Sequence, residues 1–216
     1  MNPRMCAKDI ISEPLLINQG MSRRQREARA AELLETVGPD RSLRNDYPHE
    51  FSGGMRQRLA VARALSLSPS LIVLDEPVSA LDVSIRAQIM NLLKDLQERL
   101  GVAYLLVAHD LATVRDLSHR LIVMYLGEIV EAGPSETIFT KSLHPYTQAL
   151  IAAALPARPG ERSTGVILSG DLPSPTNPPP GCRFHTRCPM AFDGCREERP
   201  TLKEIAPGQT VACHLH

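Results

Sequence analysis

The chain has 216 residues, of which 43% are hydrophobic, so it is long and apolar enough to bury the core of one domain with an appendage. Its 24 Lys and Arg residues balance 24 Asp and Glu residues, which excludes a strong overall attraction to nucleic acid or anionic lipid. The sequence has no signal peptide and no apolar run long enough to span a bilayer, so we expect a cytoplasmic location.

The first part of the chain is predicted to be helical. Ser22 and Gln25 have the spacing of a capping box, and Gly38 is a typical helix stop. Between these signals an apolar stripe is predicted to face the core, formed by Ala28, Leu34 and Val37.

The triplet Ser52-Gly53-Gly54 stands directly before a second predicted helix, in which Leu59 and Ala62 are expected to face inward. Ser52 can cap this helix, and the glycines let the backbone approach a ligand closely. Helix N-termini also attract anions, so the triplet indicates a phosphate site. A tight turn before an amphipathic helix is the alternative interpretation.

Two apolar segments are predicted to be buried parallel strands that end in polar residues. "SLIVLDEP" at 70–77 ends in Asp75 and Glu76, and "VAYLLVAHD" at 102–110 ends near His109. Ligands of open α/β sheets bind at this edge. An Asp there can hold Mg²⁺, and the next acid can orient or deprotonate a water molecule. Solvated acids and an ordinary histidine at a strand end are the alternatives.

A helix is predicted from about Val83 to Leu100, with Gly101 as its stop and Asp82 as a candidate N-cap. Residues 120–133 look like two strands joined by a turn near Gly127. The alternation of strands and helices predicts an α/β fold with a mostly parallel sheet between helix layers.

The character of the sequence changes after a helix that begins at His144 and Pro145. We expect a Pro-rich linker at 156–181 and a Cys-bearing tail at 182–216, which is too short to form a core of its own without a staple. The boundary of the main domain is therefore placed near residue 156.

The order of these parts resembles the ATP-binding subunit of ABC transporters. The stretch "PHEFSGGMRQRLAVARAL" at 48–65 looks like the signature motif of that family, "LIVLDE" like its Walker B strand, "SALD" like its D-loop and His109 like its switch histidine. The resemblance implies a P-loop-NTPase-like nucleotide-binding domain that works as a pair of subunits around ATP and Mg²⁺.

The resemblance also implies a role for each matched residue. Ser52, Gly53, Gly54 and Gln57 would contact the γ-phosphate of an ATP held on the P-loop of the second subunit. Asp75 would position Mg²⁺, Glu76 would activate water, His109 would contact the γ-phosphate and Asp82 would belong to the nucleotide-binding D-loop.

The C-terminal sequence narrows the resemblance. "SLHPYTQALIAAALP" at 142–156 and "GCRFHTRCPMAFDGCREERP" at 181–200 look like the C-terminal extension of oligopeptide and dipeptide importers. The implied function is ATP-driven import of such peptides, in contact with transmembrane permease subunits on the inner face of the cell membrane and without a nucleic-acid partner.

A P-loop, which requires Gly-x-x-x-x-Gly-Lys-Ser/Thr, is not present in the sequence. Lys141 precedes Ser142, but Thr140 and Ser135 occupy the glycine positions. We therefore expect an N-terminally truncated subunit, inactive by itself, in which 1–155 is a partial ATP-binding domain. Its helical subdomain would cover about 1–65, and the region from Walker B to the switch about 66–135.

Two other functions are compatible with the sequence. A non-catalytic fragment could complete the nucleotide site of a partner through Ser52 to Gly54. A DNA-maintenance ATPase of the same superfamily with a metal-binding tail is disfavoured by the neutral charge and by the absence of a basic stripe.

Four cysteines of the tail, Cys182, Cys188, Cys195 and Cys213, are spaced C-x5-C-x6-C-x17-C, and Cys6 stands apart. Cytoplasmic disulfides are not expected, so metal binding is the first interpretation. Four thiolates suit an iron–sulfur cluster, and the resembling peptide-transport subunits can carry a four-iron cluster there. Zinc, with His185 or His214 as substitute ligands, and unligated thiols are the alternatives.

Overall fold

The computed structural model describes residues 1–38, 41–154 and 170–216, with the backbone alone at residues 41 and 42. The chain divides into two units, Met1–His109 and Asp110–His216. The boundary expected near residue 156 lies within the second unit. Residues 155–169 of the expected Pro-rich linker lie outside the described residues, and its remainder up to residue 181 contains neither helix nor strand.

The first unit contains four helices and two strands among its described residues. In chain order these are α1 (Ala7–Gln19), α2 (Arg23–Val37), α3 (Gly53–Leu65), β1 (Leu71–Asp75), α4 (Val83–Leu100) and β2 (Ala103–Val107). Two short 3-10 helices, Arg41–Asn45 and Pro48–Glu50, lie between α2 and α3.

The second unit contains four helices and four strands in its described part. They are α5 (Leu111–Leu117), β3 (Arg120–Tyr125), β4 (Glu128–Pro134), α6 (Ser135–Lys141), α7 (Pro145–Ala154), α8 (Asp193–Glu197), β5 (Lys203–Ala206) and β6 (Gln209–Val211). None of the helices in the described ranges is long and apolar enough to cross a membrane.

Local signals predicted the helix ends correctly. Ser22 and Gln25 form the capping box of α2, while Gly38 and Gly101 end α2 and α4 with left-handed φ angles of 94° and 65°. The predicted stripe of α2 was wrong at Ala28, which is exposed. Ala28 lies on the opposite side of the helix from the buried residues, which recur three and four positions apart. The buried residues are Ala30, Leu33, Leu34 and Val37.

The prediction of a mostly parallel sheet was wrong for the described strands. β1 and β2 form a two-stranded parallel sheet, while β3, β4, β6 and β5 form a second, antiparallel sheet in that order. Moreover, β1 is buried on one face only: Ile72 and Leu74 point inward, whereas Leu71 and Val73 are exposed. The fold of the described residues is therefore mixed α/β, with two small sheets.

The N-terminus of α3 packs closely against the segment that begins α4. A Cβ atom added at Gly54 would lie 2.5 Å from Ile85 Cγ2, and one at Gly53 would lie 3.2 Å from Leu81 Cδ2. Contacts shorter than 3.0 Å require the neighbours to move. Gly54 is therefore required by packing, in addition to any role in ligand approach.

The tail of the second unit shares a core with the β3–β4 hairpin. Strand β6 pairs with β4, and Phe184 is buried together with Tyr125 and Val130. Arg183 forms an ion pair with Glu128 and donates a hydrogen bond to the Leu126 carbonyl. The tail, expected to need a staple, thus completes the apolar core of a hairpin that precedes it in the sequence.

A buried carboxylate connects β4, α7 and β6. Glu131 accepts hydrogen bonds from the backbone N–H groups of Leu143 (2.8 Å) and His144 (3.0 Å) and from the Gln209 side chain (3.0 Å). The two N–H groups lie directly before α7, where the helix dipole favours a negative charge. His144 is itself buried, and its Nδ1 accepts a hydrogen bond from the Tyr146 N–H.

We predict that Gly54→Ala destabilises the first unit by about 1–3 kcal/mol, because the added methyl group overpacks against Ile85. Gly53→Ala is the matched control, since its methyl group meets only the flexible end of Leu81 and alanine favours the helix. Urea unfolding of both variants and the wild type measures the difference. A Gly54→Ala protein as stable as Gly53→Ala would contradict the packing argument.

A second prediction concerns acid sensitivity. Burial, with a smaller contribution from His216, lowers the pKa of His144 to about 4. The unfolded chain therefore binds a proton that the folded chain does not, so stability falls as the pH drops from about 6.5 towards 4. Through His144, we expect the free energy of unfolding of the second unit to be roughly 2 kcal/mol lower at pH 5 than at pH 7.5.

Urea unfolding at these two pH values tests this expectation. His144→Gln should remove that part of the pH dependence, because its amide does not titrate. His49→Gln, at an exposed histidine of the first unit, should leave it unchanged. Equal pH dependence in the wild type and His144→Gln would show that another group is responsible.

Candidate functional site

The carboxyl end of β1 holds Glu76 in an unusual backbone conformation. Its φ is 46°, in the left-handed region, and its N–H donates a 2.8 Å hydrogen bond to the Val107 carbonyl at the end of β2. Ser79 donates to the Glu76 carbonyl from its N–H (3.4 Å) and its hydroxyl (3.2 Å). Such a conformation is costly for a residue other than glycine, and residues that adopt it cluster at functional sites. Ser79 begins the segment "SALD", but no pattern in the sequence predicted its hydrogen bonds to Glu76.

The structure brings the two predicted catalytic residues, Glu76 and His109, into contact. His109 Nδ1 lies 3.0 Å from Glu76 Oε1, and the two side chains are 72% and 49% exposed. Because a carboxylate only accepts hydrogen bonds, this contact is a hydrogen bond in the tautomer that carries a proton on Nδ1. An exposed pair of this kind contributes little to the stability of the fold. Its exposure leaves both side chains open to a ligand.

Asp75 is the last residue of β1 and is exposed beside Glu76. Mg²⁺ in nucleotide sites usually binds one or two carboxylates and takes its other oxygens from phosphates and water. Across the described ranges, no three His, Cys, Asp or Glu side chains are placed to hold one metal ion. Asp75 could therefore supply part of a Mg²⁺ shell, with substrate oxygens completing it.

Ser52 caps α3, as predicted: its Oγ accepts a hydrogen bond from the Met55 N–H at 3.3 Å. Gly53 and Gly54 form the first two positions of the helix, so their N–H groups have no partner within it. Gln57 lies one turn further along and is half-buried. This arrangement leaves donors at a helix N-terminus, which is the geometry that binds anions.

Asp82 caps α4. Its Oδ1 accepts hydrogen bonds from the Ile85 N–H (2.9 Å) and the Ser84 hydroxyl (2.8 Å), and these two bonds hold the pKa of Asp82 below its usual value. The capping interpretation therefore accounts for Asp82 in this chain. Its predicted role in nucleotide binding remains a prediction.

The four tail cysteines are free thiols that lie within electrostatic range of one another. Burial raises the pKa of Cys182, Cys188 and Cys213, and charge on the other tail cysteines adds a smaller contribution in the same direction. The N–H of Cys182 donates a 2.8 Å hydrogen bond to the Cys195 carbonyl. This bond holds the backbones of Cys182 and Cys195 next to each other.

The two histidines considered as zinc ligands contact backbone carbonyls instead. His185 Nδ1 lies 2.9 Å from the Cys182 oxygen, and His214 Nε2 lies 2.8 Å from the Glu198 oxygen. A tetrahedral zinc site requires four donors around one atom. In the part of the chain that the structure describes, the thiols and histidines do not converge on such a point.

Two family models match the sequence. The model described as "ABC transporter" matches residues 2–79, and the model described as "Oligopeptide/dipeptide transporter, C-terminal region" matches residues 130–195. The first match includes Ser52 to Gly54, Asp75 and Glu76, and the second includes Cys182, Cys188 and Cys195.

Curated relatives match the chain from end to end. It is 53% identical over 215 residues to the probable peptide ABC transporter ATP-binding protein y4tS of Sinorhizobium fredii, covering 100% of this chain and 61% of that protein. It is 50% identical to the putative oligopeptide transport ATP-binding protein YkfD of Bacillus subtilis, and the match covers 100% of this chain and 67% of YkfD. It is 48% identical to the dipeptide transport ATP-binding protein DppF of Escherichia coli, and the match covers 99% of this chain and 64% of DppF.

The chain thus spans between 61% and 67% of the length of these three relatives. Among solved structures, the ATP-binding cassette MJ0796, a dimer in a post-hydrolysis state bound to ADP and Pi, superposes with a TM-score of 0.55. The sequence identity is 34%, and the match covers 62% of this chain and 59% of the cassette. The chain belongs to the family of ATP-binding subunits of ABC transporters of the oligopeptide and dipeptide type.

Proposed function

We propose that this chain acts in ATP hydrolysis that powers the import of oligopeptides or dipeptides, as a peripheral subunit on the inner face of the cell membrane. The observation that carries the proposal is the contact between Glu76 and His109 at the carboxyl end of a parallel strand pair. The names of the relatives, which include oligopeptide and dipeptide transport ATP-binding proteins, support the substrate class.

The chemistry follows from the positions of three side chains. Glu76, with its backbone held by Val107 and Ser79, would orient and deprotonate the attacking water. His109, with a proton on each ring nitrogen, would donate to the Glu76 carboxylate through Nδ1 and to a γ-phosphate oxygen through Nε2. Asp75 would hold Mg²⁺, which neutralises charge on the phosphates as the γ-phosphoryl group transfers to water.

The N-terminus of α3 would serve a nucleotide held by a second subunit. Ser52, Gly53 and Gly54 offer N–H donors, while the sequence contains no Gly-x-x-x-x-Gly-Lys-Ser/Thr to cradle phosphates in the same chain. The dimeric state of the cassette MJ0796 supports pairing of two such subunits. The lack of a P-loop motif also favours the second candidate, a non-catalytic chain that completes the site of a partner.

The helical region would contact the transmembrane permease subunits. Leu16 and Ile17, near the end of α1, are exposed apolar side chains on a helix whose other face is buried. Exposed apolar residues of this kind suit a protein interface. Through this region, closure of two ATP-binding subunits could be transmitted to the membrane.

We expect Glu76→Gln to lower hydrolysis at least about 100-fold without preventing ATP-dependent dimerisation, because it removes the base and keeps the phosphate contacts. The assay uses a chimera in which a segment with the Gly-x-x-x-x-Gly-Lys-Ser/Thr motif is joined to the N-terminus of this chain. Glu98→Gln, at an exposed position of α4, is the matched control and should hydrolyse ATP normally.

The unmodified chain is assayed in parallel and should show no hydrolysis. Wild-type turnover in the Glu76→Gln chimera would contradict the role of Glu76. An inactive wild-type chimera that still stimulates a P-loop-bearing partner would favour the non-catalytic alternative.

The tail is proposed to bind a four-iron cluster through Cys182, Cys188, Cys195 and Cys213. A cubane cluster is ligated at separate corners, so its thiolates need to be near one another without meeting at one atom. The proposal is supported by the free state of the four thiols and by the hydrogen bond that joins the Cys182 N–H to the Cys195 carbonyl. When bound, such a group supplies a cross-link and a redox-active centre.

Anaerobically purified protein is therefore expected to contain iron and sulfide and to absorb visible light. Cys188→Ser should lose the metal and open the tail to proteolysis. Cys6→Ser is the control, because Cys6 lies in the first unit and its thiol donates to Asp9. Stoichiometric zinc would replace the cluster with a structural metal, and the absence of any metal would contradict a ligand-bound tail.

A further inference from the structure

The second unit contains a cavity of about 420 Å³ that includes none of the residues assigned to ATP. It is lined by α5, by the segment between α5 and β3, and by α6. Pockets for small molecules have volumes of roughly 300–1,000 Å³. The cavity is therefore large enough for a ligand of the size of an amino acid or a short peptide.

Two contacts hold the walls of this cavity together. The Ser135 N–H, at the start of α6, donates a 2.9 Å hydrogen bond to the His119 carbonyl, which lies just before β3. The Arg115 guanidinium of α5 lies 5.5 Å from the centre of the Phe139 ring of α6. These contacts join the same walls at different points, so the cavity is formed before any ligand binds.

Ser135 supplies a buried hydroxyl group to the cavity. The residue is only 9% exposed, and it lines the cavity. Its N–H is bonded to His119, but its hydroxyl makes no hydrogen bond within the part of the chain that the structure describes. Buried hydroxyls normally have a partner, and they can both donate and accept. The free hydroxyl of Ser135 therefore indicates a polar ligand.

The two strongest charges of the cavity have opposite signs. Arg115 contacts the Phe139 ring and forms no ion pair with another described residue, and the same holds for the Glu136 carboxylate in the first turn of α6. A guanidinium binds a carboxylate through paired N–H groups, and a carboxylate accepts hydrogen bonds from an ammonium group. A simple anion would be repelled by Glu136 and a simple cation by Arg115. A ligand that carries both charges satisfies the two side chains together.

We propose that this cavity binds a zwitterion, with its carboxylate on Arg115, its α-ammonium group on Glu136 and a hydrogen bond to the Ser135 hydroxyl. The Phe139 ring offers an apolar wall to the remainder of the ligand. A free amino acid and a short peptide with free termini share this chemistry. The peptide as ligand rests on the proposed import function, whereas the amino acid does not.

Isothermal titration calorimetry of the full chain with L-alanyl-L-phenylalanine tests the proposal. The N-acetylated and the C-amidated forms of the dipeptide each lack one charge, and L-phenylalanine and inorganic phosphate are the further probes. We expect both modified dipeptides to bind at least about 10-fold more weakly than the dipeptide, because each loses a charge-assisted hydrogen bond.

Variants assign each charge of the ligand to its side chain. Arg115→Gln should weaken dipeptide binding at least about 10-fold and make it insensitive to C-terminal amidation. Glu136→Gln should do the same for N-acetylation. Arg196→Gln, at an exposed arginine of α8, is the matched control and should bind like the wild type. Because Arg115 and Glu136 are exposed, all three variants should unfold in urea like the wild type.

The outcomes separate this inference from the proposed function. Binding of the dipeptide more tightly than L-phenylalanine supports a peptide site, and the reverse order supports the same site with an amino acid as its ligand. Equal binding of the dipeptide and its two modified forms, or no binding of any probe, overturns the inference and leaves the import proposal standing. Phosphate bound as tightly as the dipeptide identifies a simple anion site and also overturns it, as does wild-type affinity in Arg115→Gln.

Discussion

The hydrogen bond from the Glu76 N–H to the Val107 carbonyl is the constraint on which the candidate site depends. It continues the register of β1 and β2 by one residue beyond Asp75, and so holds Glu76 at the strand end with a left-handed φ of 46°. Because β2 is parallel and in register, His109 then follows Val107 at the same edge. The contact between Glu76 and His109 is thus a consequence of strand register.

The same unit shows why the Ser-Gly-Gly triplet cannot be interpreted as a ligand site alone. Gly54 is required where α3 meets Ile85, whereas a methyl group at Gly53 would meet only the flexible end of Leu81. Close packing at this point connects the N-terminus of α3 to the loop that follows Glu76. A residue that faces phosphate and a residue that permits packing can therefore be neighbours in one short motif, and the sequence alone does not distinguish them.

How far the sequence predicts the structure depends on the range of the interactions. Helix caps and stops such as Ser22, Asp82 and Gly101 act within a few residues, so they could be identified directly. Ala28 was misplaced because three apolar residues did not fix the phase of α2. The β3–β4 hairpin was predicted from its two apolar segments and the turn near Gly127. Its extension by the tail was missed, because β4 pairs with β6 and no local pattern encodes such a pairing.

Two features of the second unit show how buried polar groups acquire partners. The Glu131 carboxylate meets N–H donors that precede α7 and the amide of Gln209, so β4, α7 and the tail share one buried acceptor. Among the described residues of the same unit, the Tyr125 hydroxyl and the Arg187 Nε are buried without a partner. The partners of Glu131 come from segments up to 78 residues away in sequence, so one buried acceptor ties the tail to the strand and the helix that precede it.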